Sequence, residues 1–303
     1  MVTIMAGMLA SIPAASAAPK EPRTFASPDE AASALAAAAK AMDQKSIIEI
    51  LGPSYAEWIV SGDDVFDSQA LQRFVNAYSQ KHVVVPSGQD KSLLTVGNDD
   101  FPFPFPVVNR RGVWTFDAEA GKDELLSRRI GQNELNTIEV LRAVVDAQRD
   151  YAMRDRDDNG APDYATKFIS TPGKRDGLYW PAARGEAESP LGPLVGEAVR
   201  KGYGGRGTKD EPKPYDGYYF KLLLGQGNDA EGGAYDYIVR GKMIGGFAVL
   251  AYPARYGISG IKSFMVSHDG VVYESDLGPS SPTAAEKITK FNPDKNWQKV
   301  ASE

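Results

Sequence analysis

Residues 133–151, NELNTIEVLRAVVDAQRDY, place Asn133, Leu135, Ile138, Leu141, Val145 and Gln148 at helical spacing, one stripe beneath a charged outer face. The text on either side of this helix differs in kind. Upstream, helical periods give way to period-two runs. Downstream, short alternating runs are separated by Gly- and Pro-rich loops. The simplest arrangement is a long helix laid on a largely antiparallel sheet, preceded by a smaller unit of helices followed by strands, an α+β chain throughout.

Reading back towards the N-terminus, residues 117–132 carry Gly121, Gly131 and mixed charge, and are expected to form the seam between an N-terminal domain (18–120) and a C-terminal domain (128–303). Within the first domain, Ser27-Pro28-Asp29-Glu30 announces a helix: Ser27 caps, Pro28 suits the first helical position, and Glu30 closes a capping box ahead of the Ala-rich run 31–42. Asp43 starts a second helix, stopped by Gly52-Pro53. Helical spacing continues from Tyr55 to Val60 and from Gln69 to Gln80. Strands are expected at His82–Val85, Ser92–Val96, Phe103–Val108 and Val113–Phe116. The alternation Phe101-Pro102-Phe103-Pro104-Phe105-Pro106 removes N–H donors along one side of the chain, so this run is expected to be an edge strand with its Phe rings on one face. Helices followed by a curved sheet have the outline of a nuclear-transport-factor-like or cystatin-like unit, an analogy of fold alone.

Reading forward, strands are expected at Ala165–Ile169, Tyr218–Leu224, Phe247–Tyr252, Ile261–Ser267 and Val271–Ser275, with a helix over Pro282–Lys290. His268-Asp269-Gly270 reads as a hairpin turn, because Asp-Gly supplies the positive φ such turns need. The order of these elements is similar in outline to the globular heads of pilins. Pilins, however, begin with an apolar processed helix, and here a whole domain precedes a charged-faced one.

Composition excludes more than it assigns. The chain has 303 residues, a formal net charge of −6, no cysteine and two histidines. Thiol nucleophiles, zinc–thiolate sites and disulfides are therefore absent, and there is no excess of Lys and Arg to neutralise nucleic-acid phosphate. Residues 2–12 are apolar, and Ala15 and Ala17 occupy the small positions that a signal peptidase reads, so residues 1–17 are expected to be a signal peptide, although no basic residue precedes Lys20. The mature protein is then periplasmic or secreted, without a transmembrane segment, since no apolar run approaches roughly 20 residues.

Three sets of residues carry candidate chemistry. Tyr179-Trp180 with Tyr215, Tyr218 and Tyr219 could form a stacking platform for sugar rings, with Tyr179, Trp180, Tyr215 and Tyr218 as the ligand-binding residues. Asp155-Arg156-Asp157-Asp158-Asn159-Gly160 matches the first half of a calcium loop. Asp155, Asp157, Asn159 and Asp163 would be its oxygen donors, but Thr166 stands where the bidentate Glu should be. Such a loop would take only a weak, structural calcium ion, and no other cofactor is expected. The glycine patterns at 202–207 and 225–230 lack a following helix and read as loops rather than nucleotide cradles. No G-x-S-x-G elbow occurs, and carboxylates such as Asp176, Glu274 and Asp276 would have to converge in space for a glycosidase-like mechanism.

The strings WTFDAEAG (114–121), RRIGQNEL (128–135), AQRDYA (147–152), DGLYWP (176–181), SPLGPL (189–194) and FNPDKNW (291–297) resemble the uncharacterised bacterial domain-of-unknown-function family 2950, over nearly all of the mature chain. That resemblance implies a bacterial exported protein and brings no reaction, cofactor or partner with it. The expected role is a non-catalytic binding or envelope-associated module whose partner is an envelope protein or glycan. The alternative is a periplasmic hydrolase acting on an envelope polymer through paired carboxylates.

Overall fold

The computed structural model describes residues 21–156, 160–183, 185–200 and 213–301. The expected signal peptide and the 202–207 glycine pattern lie outside them. The chain is an α+β protein with two antiparallel sheets bridged by one helix. It opens with α1 (Pro28–Lys40), α2 (Gln44–Leu51), α3 (Ala56–Ile59) and α4 (Asp64–Gln80), and the starts of α1, α2 and α4 follow from their side-chain caps. Ser27 Oγ accepts the Glu30 N–H at 3.1 Å, and the Glu30 carboxylate returns to the Ala26 N–H at 2.9 Å, so the expected capping interaction closes one residue early. Asp43 caps α2 and Asp63 caps α4 in the same manner.

The first sheet comprises β1 (His82–Pro86), β2 (Lys91–Val96), β3 (Phe101–Pro102), β4 (Val107–Arg110) and β5 (Val113–Phe116), in the order β1-β2-β4-β5 with β3 also on β2. Here the expected edge strand holds only for β3, whose Phe101 and Pro102 pair with β2 alone, and the rest of the run is corrected. Beyond Phe103, whose N–H still reaches the Leu94 carbonyl at 2.8 Å, the chain leaves β2, and it rejoins as β4, an interior strand between β2 and β5. Pro102 lies in that edge segment, whereas Pro104 and Pro106 fall where the pairing is interrupted. The three rings do not share a face: Phe101 is 55% exposed beneath the Arg128 guanidinium, whereas Phe105 is buried among Leu35, Ile50 and Phe116.

Helix α5 (Ala118–Tyr151) is 34 residues long and begins at an Asp117 cap, so the stretch expected as a seam is continuous helix. Glycine normally weakens a helix. At Gly121 it is needed, because a Cβ there would collide with the Phe105 ring and stand 2.8 Å from Phe105 Cα. The first turns of α5 thus dock in the first core beside Phe105, while its later turns cross the second sheet.

After α6 (Gly192–Arg200) the chain forms β6 (Tyr218–Leu223). Short ladders follow: β7 (Gly225–Gln226) pairs with β8 (Tyr235–Asp236), and β9 (Ile238–Val239) with β10 (Lys242–Met243). The meander β11 (Ala248–Pro253), β12 (Lys262–Ser267) and β13 (Val272–Asp276), the helix α7 (Ser281–Lys287) and the strand β14 (Gln298–Lys299) complete it. The second sheet runs β14-β13-β12-β11-β6, every pair antiparallel. Residues 248–251 are all fully buried, which a strand with one wet face would not show; the sheet's centre is covered on both sides, by α5 and by the α7 segment.

The strand expected at Ala165–Ile169 forms only an isolated bridge, Ile169 to Tyr179, with the Lys167 and Phe168 carbonyls accepting the Leu178 and Tyr179 N–H groups. At its start the buried Gln148 amide acts as a surrogate strand, donating to the Ala165 carbonyl and accepting the Ala165 N–H, each at 2.9 Å. The two halves meet over a buried polar seam. Arg129 of α5 donates to the Trp58 and Ile59 carbonyls at 2.8 Å, and Arg255 reaches the Val60 and Glu57 carbonyls, so two guanidinium groups take up the carbonyl end of α3. Asn133 donates to the Ser259 carbonyl across the same seam.

Candidate functional site

The aromatic platform expected from Tyr179, Trp180, Tyr215 and Tyr218 is not an exposed surface. Tyr218 is fully buried: its hydroxyl donates to the Lys262 carbonyl at 2.9 Å, and burial, reinforced by nearby Glu134, pushes its phenol pKa upward. Trp180 is 7% exposed, edge-on to Tyr151, with the Arg156 and Arg175 guanidiniums near its ring. Tyr179 and Tyr215 are half-buried and pack against the same core. These rings belong to or pack against the core shared by α5 and the second sheet, a demand that their loop-like flanking sequence conceals.

Of the four calcium donors, Asp157 and Asn159 lie outside the described residues. Asp155 accepts the Gly160 N–H at 2.8 Å through Oδ2, and Asp163 is buried. Among the described residues, no group of three or more His, Asp or Glu stands where it could hold a metal ion. The carboxylates named for hydrolysis serve local structure. Burial alone would raise the Asp176 pKa, but hydrogen bonds from Lys167 and Thr171 outweigh it and hold the group at about 2. Glu274 faces Lys262 at 3.8 Å, and Asp276 accepts the Tyr256 hydroxyl and the Gly278 N–H. His268 occupies the expected hairpin, where Gly270 has φ +84°; its ring packs edge-on against Tyr237 and Phe247.

A different place in the fold is open. Beside α7, a cleft of about 430 Å³ is lined by Met265 of β12, by Lys287 and Ile288 at the end of α7, and by Asp229, Asn292 and Trp297. The local sequence explains each position. The Phe291 N–H donates to the Gly225 carbonyl and the Gly227 N–H to the Phe291 carbonyl, so residues 291–292 run alongside β7. The Asn292 side chain then fills the space where a Cβ on Gly227 would sit, and it clasps Asp229 twice: Oδ1 accepts the Asp229 N–H at 2.9 Å, and Nδ2 donates to Oδ2 at 2.8 Å. A turn in which the Trp297 N–H donates to the Asp294 carbonyl brings the indole to the rim, half-buried against the core.

A second cleft of about 290 Å³, containing Lys221, Leu224 and Asp236, shares Thr289 and Lys290 with the first, so the two clefts of this α7 groove have one wall in common. A third, of about 210 Å³, lies far along the chain at the start of α5. Its groups are engaged with one another: Arg110 pairs with Asp117 at 3.3 Å, and a hydrogen bond to Glu119 raises the Tyr55 phenol pKa.

Sequence reasoning missed the Trp297 cleft. Its residues come from three separated segments, 227–229, 265 and 287–297, none patterned as a site. The only signal was the string FNPDKNW, which holds both Asn292 and Trp297.

No match is found among curated proteins or among solved structures. A family described as "Protein of unknown function (DUF2950)" matches residues 22–300, which takes in both sheets, the bridging helix and the whole of the groove beside α7. The chain belongs to that family.

Proposed function

We propose that this protein is an exported, non-catalytic binding module of the bacterial envelope, and that the groove beside α7 holds a glycan. The observation that carries the reading is the Trp297 cleft. Its volume falls within the range of small-ligand sites. An aromatic ring and a fixed amide–carboxylate pair lining one cleft is the combination that stacks on a pyranose and hydrogen-bonds its hydroxyls. Among the described residues, Asp229 is the one carboxylate lining this cleft, and Asn292 engages it; Asp236 of the adjoining cleft is paired with Lys290. Hydrolysis by an acid–base pair needs two carboxylates, about 5–10 Å apart, so binding without cleavage is the better fit. Export rests on residues 1–17 of the sequence. No described helix is long and apolar enough to cross a membrane.

Calorimetric titration of the purified chain with envelope oligosaccharides tests the binding role: heat that saturates, with the oligosaccharide recovered uncleaved, supports it, and no heat with any saccharide rejects it. Cell fractionation with N-terminal sequencing tests export. An extracytoplasmic chain beginning at Ala18 is expected, and a cytoplasmic chain that retains residues 1–17 would refute it.

A further inference from the structure

The groove's charges are unequally engaged, and this narrows the ligand. Lys290 is held by Asp236 at 2.9 Å, and Asp229 is held by Asn292. Lys287, exposed on the last turn of α7, has no ion pair among the described residues. An ordinary role for a lysine at that position would be to satisfy the carbonyls at the helix end. That role is taken: Lys221 of β6 donates to the carbonyls of Glu286 at 3.0 Å and Ile288 at 2.9 Å, and approaches that of Ala285. A spare ammonium therefore lines the same cleft as the Trp297 indole, and a second cleft, lined by Leu224, shares Thr289 and Lys290 with it.

Resting on the glycan-binding reading above, we propose that the ligand is an acidic oligosaccharide, in which one pyranose stacks on Trp297 while a carboxylate on the chain pairs with Lys287. The second cleft on the far side of Thr289 and Lys290 favours an oligomer over a single sugar. Lys287 is the specificity-determining residue of the site, and Trp297 contributes affinity whatever the charge of the ligand.

The test titrates three probes into the wild-type chain and into Lys287→Met and Trp297→Ala: tri-galacturonate as acidic saccharide, chitotriose as neutral saccharide, and inorganic phosphate as a plain anion. For the wild type, tri-galacturonate is expected to bind more tightly than chitotriose, with an affinity that falls as salt rises. Lys287→Met should weaken tri-galacturonate about tenfold, the loss of one charge-assisted contact, and leave chitotriose unchanged. Trp297→Ala should weaken both saccharides. Equal binding of the two saccharides, indifferent to Lys287→Met, overturns the acidic specificity and leaves the glycan site standing. Binding of neither saccharide overturns both readings, and binding of phosphate alone overturns both in favour of a simple anion site. Because Trp297 also packs against the core, Lys287→Met, a surface change, carries the test if Trp297→Ala does not fold.

Discussion

Asp176 shows how one carboxylate secures a loop. Its folded pKa, at about 2, lies below the ordinary 3.8, so the stability it contributes is present above pH 4 and is lost as pH falls towards 2. Asp176→Asn should therefore cost about 1 kcal/mol near neutrality, allowing for solvent screening, and the gap from wild type should close between pH 4 and pH 2 in urea melts. A gap independent of pH would show that shape, and not charge, is what the loop uses. The two glycines of α5 make a matched pair. Gly121→Ala drives a methyl into Phe105 and should destabilise by roughly 1–3 kcal/mol despite the better helix propensity of alanine. Gly131→Ala meets nothing within 4 Å on an exposed helical face and should stabilise by up to about 1 kcal/mol. Thermal melts of the two variants, moving in opposite directions, check both. Nothing in the sequence separated these glycines, since both stand in the same mixed-charge stretch and only the neighbour across the fold distinguishes them.

Among the secondary-structure elements, those fixed by short-range chemistry were readable. The Ser27 and Asp43 caps, the Gly52 stop, the Asp269-Gly270 turn and the meander β11 to β13 all fall within a residue or two of expectation, because caps, turn φ values and period-two burial are local properties. The Phe-Pro run and the Ala165 segment were misread for a shared reason. Each takes its hydrogen bonds from a partner that period cannot reveal: the Leu94 carbonyl in one, the Gln148 amide in the other. Gln148→Leu should strand a buried N–H and carbonyl at Ala165 and cost roughly 2–4 kcal/mol, read as a shift in the urea midpoint. A shift near zero would mean that the Ala165 backbone finds water instead.

Across the molecule, the two halves are joined by a helix that passes through both and by the arginine-lined seam around α3. Asp67, which receives the Ser61 N–H, is raised above its ordinary pKa of 3.8 chiefly by burial, partly offset by Ser61 and by the charge of Arg129. A carboxyl raised on folding favours the native state when protonated, so its contribution falls as pH rises from 3.8 through the folded value. Arg129→Met removes the offsetting charge and leaves two carbonyls unpaired. It should cost roughly 3–5 kcal/mol near neutrality and less at pH 4, and calorimetry should show the halves melting in two steps instead of one. A single step with a pH-independent loss would show the seam to be dispensable to coupling. The sequence alone settled the α+β class, the capped N-terminal helices, the antiparallel meander and the absence of thiol chemistry, all consequences of local period, turn stereochemistry and composition. It could not show that Trp180 and Tyr218 are core while Trp297 lines a cleft, that 118–132 is helix, or that Lys287 has no ion pair among the described residues. Each of those depends on which distant segment occupies the neighbouring space, and only the assembled packing of α5, the second sheet and the α7 segment answers that.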